Sequence, residues 1–566
     1  MAKPNQYAIG AKWQNNGTAD YLQLVSPGGT VIGWIDENGV LQGTLTNAST
    51  SVTTNSSLTG NGTSSSPLSV VSNNVVQATQ YGVLANVKVS YQAAWTSSST
   101  TVTASDGNFT SADVGKIIFG TNSAPTGATS FLTSVVKLPQ GTIVSVTNST
   151  TVVVSVAATA TVTSGNGILL WGNDDTTALT SAWTAVTAAA GGVLQLPAGK
   201  MFIQSAIFIN VSTANLTGSG TGGNYLTISG QGLATQIIPT PNFSFSSCTG
   251  PDGTGTAAFG WGSLSTQTYG GLIFKDWSIQ GYGQSLTGAT HSNIMVYAPS
   301  DSYFINFACQ GFGAGCTSLI GMQIGGYNAV LVNVELDHFG STVLYVNMNN
   351  TVTSTLMTGC YVGGGQTVSL NLASGILQSS SNLIGNNQGS SAEAVLVSGG
   401  TWLSSSDAIR PATTYGIKST GGVIRLNNFS IPTGYNAVGT AALLVAGGNV
   451  TVSDSLISNA GGAGYSVQVT SGTFVNLGGN TFTGGYNTSG GTAYAQSGGE
   501  GGRATASSNS ITVVFNNTYA VTPIIVVSDE TTAGGATVTS KSATGCTITT
   551  TGASDVVDWT VVPNPI

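Results

Sequence analysis

Between Gly172 and Ile203 the spacing of apolar positions changes character twice. Leu179, Trp183, Val186 and Ala190 recur at the spacing of one helical stripe, and Asp174 and Asp175 stand at the positive end of that helix. Gly191-Gly192 ends the pattern. Val193, Leu194 and Leu196 then form a short extended run, Pro197-Ala198-Gly199 a turn, and Met201 to Ile209 an apolar strand. A helix leading into a first strand and turn is how a solenoid covers its open end.

Past this point the pattern repeats. Phe274 to Gly283 reads FKDWSIQGYG, Phe304 to Gly313 reads FINFACQGFG and Leu331 to Gly340 reads LVNVELDHFG, with starts 30 and 27 residues apart. Stacked, they place Asp276, Asn306 and Asn333 in one column, which suits a left-handed turn whose side chains form a ladder. Trp277, Phe307 and Val334 form one inward column, and Ile279, Cys309 and Leu336 another. Segments at 423–430, 450–458 and 473–482 read as further coils with looser register.

Shorter alternating runs flank this body. Residues 1–45 hold two strand patterns around Gly28-Gly29 and a third after the Asp36-Glu37-Asn38-Gly39 turn; a module this small needs copies to pack together. Residues 46–83 are rich in Ser, Thr, Asn and Gly, a flexible linker on composition. Residues 84–171 form a second β-rich block with a hairpin predicted about Asn148-Ser149. The solenoid is expected over 172–482, a Gly/Ser linker over 483–503, and a β-sandwich of short alternating strands over 504–566.

Composition sharpens the picture. Charged residues are only 6 % of the chain while glycine numbers 78, so hydroxyls and amides must carry solubility. With 12 Lys+Arg against 20 Asp+Glu the net charge is -8, and no basic stripe exists to neutralise phosphates, which excludes nucleic-acid binding. No apolar run reaches membrane-spanning length, so no membrane insertion is expected. The segment MAKPNQYAIG has no hydrophobic signal core, so manufacture in a host cytoplasm without a signal peptide is expected. Five cysteines without paired spacing argue against a disulfide framework and a zinc site; they read as buried thiols.

The order Asp174-Asp175-Thr176, helix, Gly191-Gly192 and Leu196-Pro197-Ala198-Gly199 resembles the start of the pectate-lyase-like right-handed parallel β-helix of phage tailspikes. Leu58 to Val70, LTGNGTSSSPLSV, resembles segments of phage tail fibres where three chains intertwine, which implies a trimeric neck. The blocks at 84–171 and 504–566 resemble the small domains that precede and close such fibres. The resemblance implies an all-β chain: a right-handed parallel β-helix with small N-terminal β modules and a C-terminal β-sandwich, assembled as a homotrimer. It further implies a virion-surface tail-fibre or tailspike protein, attached to the phage tail or baseplate through residues 1–45 and binding a host surface polysaccharide. A capsule or lipopolysaccharide depolymerase and a purely structural head or neck fibre remain alternatives.

Cleavage of a glycosidic bond calls for two carboxylates several ångströms apart. The solenoid offers Asp252, Asp276, Asp301, Glu335, Asp337, Glu393, Asp407 and Asp454. In the repeat Glu335 aligns with Ser278 and Ala308, and Asp337 with Gln280 and Gln310, both columns reading as outward. Two residues apart on a strand, their Cα atoms lie roughly 6.6 Å apart, so Glu335 and Asp337 are the candidate catalytic pair. Tyr361 of the next coil is a candidate sugar platform beside Glu335, and His338 a second ligand-binding candidate, although it fills a column otherwise held by glycine. The plain alternative is a solvated acidic face or a grip on a neighbouring subunit. Asp174 and Asp175 fit helix capping better than a metal pair, and Asp529, Glu530, Asp555 and Asp558 lack a calcium-loop spacing. Trp559 and Tyr519 read as sandwich core. No metal and no cofactor is expected.

Overall fold

The computed structural model describes residues 75–122, 135–188, 192–207, 226–250 and 253–260, most of 272–495 and 501–562, and short strands before residue 75. The chain divides into two compact units, Met1–Asn73 and Asn74–Ile566. In the first, strands Gly10–Asn15, Asp20–Val25, Val31–Ile35 and Leu41–Gln42 form an antiparallel meander. The strand Gly10–Asn15 adds to the three patterns read from sequence. Leu58–Thr59 pairs antiparallel with Ser69–Val70.

In the second unit six antiparallel strands between Lys88 and Gly172 close into a barrel. Val136–Asn148 and Thr151–Val154 form the hairpin predicted about Asn148-Ser149. The barrel core holds Trp95, Phe109, Leu138 and Trp171, with the Phe109 and Trp171 rings 4.7 Å apart. Its outer wall packs on the solenoid: Phe119 meets Phe202 at 5.4 Å, and the Thr121 hydroxyl donates to the Tyr282 carbonyl at 2.9 Å.

The helix spans Thr176–Ala188 and buries Leu179, Ala182, Trp183 and Val186 on the first coil. Ala190 lies outside the described residues. The two preceding aspartates divide the work. Asp174 accepts from the Thr176 backbone N–H at 3.0 Å, as a capping residue does. Asp175 turns the other way and accepts from the backbone N–H groups of Leu84 (2.7 Å) and Ala85 (3.2 Å), tying the strand-barrel connection to the cap. Just before that connection, Val75–Gln77 pairs parallel with Val193–Gln195, and Ala78 and Val83 enter the solenoid core.

From Gly192 onward the chain winds into a parallel β-solenoid. The repeat sets the register directly: Phe274 pairs with Phe304 and Phe304 with Leu331, while Ile279, Cys309, Leu336 and Val362 stack inward. Aromatic stacking fills the early coils, with Trp277 and Phe307 rings 5.0 Å apart. At one corner Asp276, Asn306 and Asn333 all adopt positive φ (59, 49 and 51°), and their side chains ladder: Asn306 Nδ2 donates to Asp276 Oδ1 at 2.8 Å, and Asn333 Nδ2 to Asn306 Oδ1 at 3.2 Å. The column continues through Gly359, Ser381, Ser406, Asn428, Asp454 and Gly479, all at positive φ. The later coils keep Ile424 on Val450 on Phe474, but the register shifts about Thr420 and Ala446 on the same strands, in keeping with the looser pattern of the sequence there. At the corner itself what varies is which glycine or short polar residue takes the left-handed position.

At the far end Tyr494 and Ala495 pair parallel with Val514 and Phe515, and Ser510–Phe515 turns antiparallel against Gly545–Thr549. Two small sheets enclose Ile511, Val513, Cys546, Ile548, Val557 and Trp559, a β-sandwich core. Asp555 accepts from the Gly552 N–H at 2.6 Å within its own turn. Glu530 and Tyr519 lie outside the described residues. No described helix is long and apolar enough to cross a membrane.

Candidate functional site

Most solenoid carboxylates are already occupied by the fold. Asp276 and Asp454 form corners of the left-handed column. Asp407 is buried and accepts from Asn382 N and Nδ2 (both 2.8 Å), Ser404 Oγ (2.6 Å) and Ser379 Oγ. Glu393 is buried against Lys418 Nζ at 2.7 Å. Asp252 and Asp301 lie outside the described residues. Among the described residues of the candidate set, Glu335 and Asp337 are left.

Both sit on strand Glu335–Phe339, the second side of their coil. The register is the one the repeat predicts: Glu335 pairs with Ala308 below and Tyr361 above, and Asp337 with Gln310 below and Gly363 above. Exposure differs from the expectation. Glu335 is half-buried, but Asp337 is only 8 % and His338 5 % exposed. The reason is backbone geometry. His338 adopts φ +60°, the left-handed conformation its glycine counterpart Gly311 adopts at +87°, and this folds its Nδ1 to 2.6 Å from Asp337 Oδ2. Above, Gly364 comes so close that a Cβ there would meet Asp337 Oδ1 at 2.3 Å, so only glycine lets that coil pass. Asp337 Oδ1 is buried with no protein hydrogen-bond partner.

Following the Asp337 column upward uncovers a residue the sequence reading missed. Asp337 stacks on Gly363, Gly363 on Gly385 and Gly385 on Arg410. The two glycines leave side-chain space in the column, and the Tyr361 phenol fills part of it: a Cβ on Gly363 would lie 2.4 Å from the Tyr361 hydroxyl oxygen. That hydroxyl hydrogen-bonds Arg410. Alignment of one more pair of coils through Gly363 and Gly385 reaches Arg410, but the strand carrying it, Ala408–Arg410, is three residues long and gives little pattern to align.

The site is thus layered. Glu335, Tyr361 and Arg410 are half-buried at the surface, over a buried Asp337–His338 pair. Burial, then the Asp337 charge, raises the Glu335 carboxyl above its ordinary range against the opposing His338 ring. Burial and Asp337 also raise the Tyr361 phenol, against the pull of Arg410. Such a set offers one carboxyl inclined to keep its proton, a hydrogen-bonded carboxylate-imidazole pair, and a guanidinium next to an aromatic ring. No group of three or more metal-ligating side chains occurs among the described residues.

No family model matches the chain, and no curated protein matches it. Among solved structures it is similar to the tailspike protein gp49 from Pseudomonas phage LKA1, at 12 % identity and a TM-score of 0.22, covering 85 % of this chain and 82 % of that one. Phage tailspikes are among its structural neighbours. A second is the gp42 tailspike of Acinetobacter phage vb_AbaP_AS12, with 11 % identity, a TM-score of 0.38 and coverage of 62 % and 68 %. The A-module of the mannuronan C-5 epimerase AlgE4 from Azotobacter vinelandii gives 15 % identity, a TM-score of 0.36 and coverage of 57 % and 87 %. TM-scores this low carry no argument, and the site stands on the chain's own residues.

Proposed function

We propose that this is a virion-surface tail-fibre or tailspike protein that acts as a homotrimer, attaches to the phage tail or baseplate through residues 1–45, and binds a host surface polysaccharide on the solenoid at Glu335, Tyr361 and Arg410. The observation that carries the reading is the cluster itself. In a chain only 6 % charged, two carboxylates the fold does not use, an imidazole, a phenol and a guanidinium meet on one face of neighbouring coils. Tyr361 supplies a ring for a sugar face, and Glu335 and Arg410 supply an acceptor and a bidentate donor for its polar edges. Asp337 and His338 support the site from beneath.

An array of bacterial capsular and lipopolysaccharide glycans tests this with the full chain. Binding to at least one glycan is expected, weakened tenfold or more by Tyr361→Ala and by Arg410→Ala with the melting temperature kept. Binding to none, or binding indifferent to both substitutions, overturns the assignment.

The raised Glu335 carboxyl two residues from Asp337 favours a second reading, cleavage of the bound glycan with Glu335 as general acid and Asp337, oriented by His338, as its partner. New reducing ends or unsaturated uronates from a bound glycan, abolished by Glu335→Gln while binding persists, are expected on that reading. Turnover that survives both Glu335→Gln and Asp337→Asn refutes it.

A further inference from the structure

Behind the candidate site the interior of the solenoid turns polar. The residue that follows each left-handed corner points inward, and it is apolar at Trp277, Phe307 and Val334 but polar at Asn382 and Asp407, both buried. These two belong to one chain of hydrogen bonds. The Cys360 N–H donates to Asn382 Oδ1 at 2.8 Å, and the Asn382 N–H and Nδ2 both donate to Asp407 Oδ1 at 2.8 Å. On its other oxygen Asp407 accepts from Ser404 Oγ at 2.6 Å and from Ser379 Oγ, which in turn accepts from Trp402 Nε1 at 2.8 Å. Cys360 adjoins Tyr361, and Asp407 stands three residues before Arg410. The buried chain therefore spans the three coils from the phenol to the guanidinium.

We propose that Asp407 is a positioning residue of the glycan site: its carboxylate fixes the coil that carries Arg410 against the coil that carries Tyr361. Two inter-coil steps at about 4.8 Å each set these side chains roughly 10 Å apart along the solenoid, and the ladder between them is thin. Leu383–Gly385 and Ala408–Arg410 are three residues each, Gly363 and Gly385 bring no side chains to pack, and beyond Arg410 the pairing keeps only Ala408 on Ser430. A pair of groups that must grip one ligand needs a firmer support than this. The buried network supplies it. Charge distinguishes Asp407 from its column. Asn480 plays the same part without charge, accepting from the Ser455 N–H at 2.8 Å, so an amide oxygen satisfies the backbone there. An amide accepts on one side and donates on the other, whereas a carboxylate accepts on both, and four donors converge on Asp407. A carboxylate this buried is costly unless it is bonded in that way. Its place on the coil of Arg410 ties two short strands to one side chain. The inference rests on the glycan site of the proposed function and adds to it a residue that touches no glycan.

Titration of the full chain with the capsular or lipopolysaccharide glycans that the array retains, beside thermal melts, tests it. Asp407→Asn should weaken binding roughly tenfold, within the range for residues of one network, and should have no further effect in an Arg410→Ala background. Ser404→Ala keeps the charge, removes one of the four bonds, and should weaken binding about twofold. Ser455→Ala takes away the acceptor of the Phe429 N–H (3.0 Å) two coils beyond Asp407, and should lower the melting temperature while leaving affinity unchanged. Retention of no glycan, or binding indifferent to Tyr361→Ala and Arg410→Ala, overturns the glycan site and this inference with it. With that site intact, unchanged affinity in Asp407→Asn overturns the inference alone, as does unchanged affinity in Ser404→Ala should Asp407→Asn fail to fold. A loss that simply adds to that of Arg410→Ala, or an equal loss in Ser455→Ala, overturns it too.

Discussion

Asp175 makes the most exacting test of how the two ends of the architecture are joined. Its carboxylate is buried, and burial is the largest influence on it. The Leu84 and Ala85 N–H groups pull the other way, Asp174 adds a small repulsion, and the carboxyl ends at about 6 against 3.8 for a solvated aspartate. The folded protein thus holds this proton more tightly than the unfolded chain does. The resulting stability is fully present below about pH 3.8 and is lost as pH rises through about 6. The difference of about 2.2 units, 6 less 3.8, corresponds to on the order of 3 kcal/mol.

Asp175→Asn removes the titration while keeping one acceptor for the paired N–H groups. The remaining N–H faces an amide donor, which costs roughly 1–2 kcal/mol near pH 4, where the wild-type carboxyl is neutral. Melting temperatures measured at one scan rate from pH 4 to 7 should show wild type losing about 3 °C relative to the variant as pH rises, given the unfolding entropy of a unit this large. The other carboxylates cancel in the difference. Parallel pH profiles for the two proteins, or a wild type that gains on the variant with rising pH, refute the placement of Asp175.

Asp113 titrates with the opposite sign. Burial pushes it up, but bonds to Lys116 (2.8 Å) and the Thr110 N–H, with Lys88 nearby, outweigh that and lower it, so its contribution holds above the ordinary carboxylate range and is lost as pH falls below it. Asp113→Asn should cost about 1–3 kcal/mol at pH 7, read by denaturant melts of Trp171 fluorescence, with the deficit vanishing in acid. Asn306→Ala removes two rungs of the corner ladder and leaves a non-glycine residue at φ 49°, a loss of roughly 2–3 kcal/mol; Asn306→Gly should recover part of it in a thermal melt. Burial pushes Cys316, Cys360 and Cys546 up to about 11 and Cys309 well above its usual range. A maleimide should leave all four unlabelled in native protein at pH 7.5 and label them in guanidinium, as peptide mapping can check.

The fold was legible in this sequence because a parallel solenoid stacks like on like. FKDWSIQGYG over FINFACQGFG over LVNVELDHFG is the register itself, and the Asp/Asn column is the left-handed corner. What escaped depended on three dimensions. Asp175 reaches partners 91 and 90 residues away, so its local pattern predicted only a cap. Asp337 read as outward because its column is outward, whereas its burial follows from the His338 backbone and the approach of Gly364. Arg410 was hidden by two glycines, which break a pattern defined by side chains while the backbone ladder continues through them.

The same stacking accounts for the scarcity of charges along the coils and sets Glu335 apart. Like charges at one position of successive coils would lie about 4.8 Å apart and repel by roughly 3 kcal/mol at the effective dielectric of a protein surface. Asparagine avoids this because each amide donates to one neighbour and accepts from the other, as at Asn306. The carboxylates that remain have uncharged neighbours in their columns: Asp276 lies against Asn306, and Asp337 between Gln310 and Gly363. Glu335 is the exception within its own strand. It stands two residues from Asp337, and the repulsion between them is part of what raises its carboxyl. A serine or alanine, as at Ser278 and Ala308 in the same column, would satisfy the fold without that repulsion. A cost the architecture does not require, placed beside an arginine and a tyrosine, supports the proposal that this cluster binds a ligand.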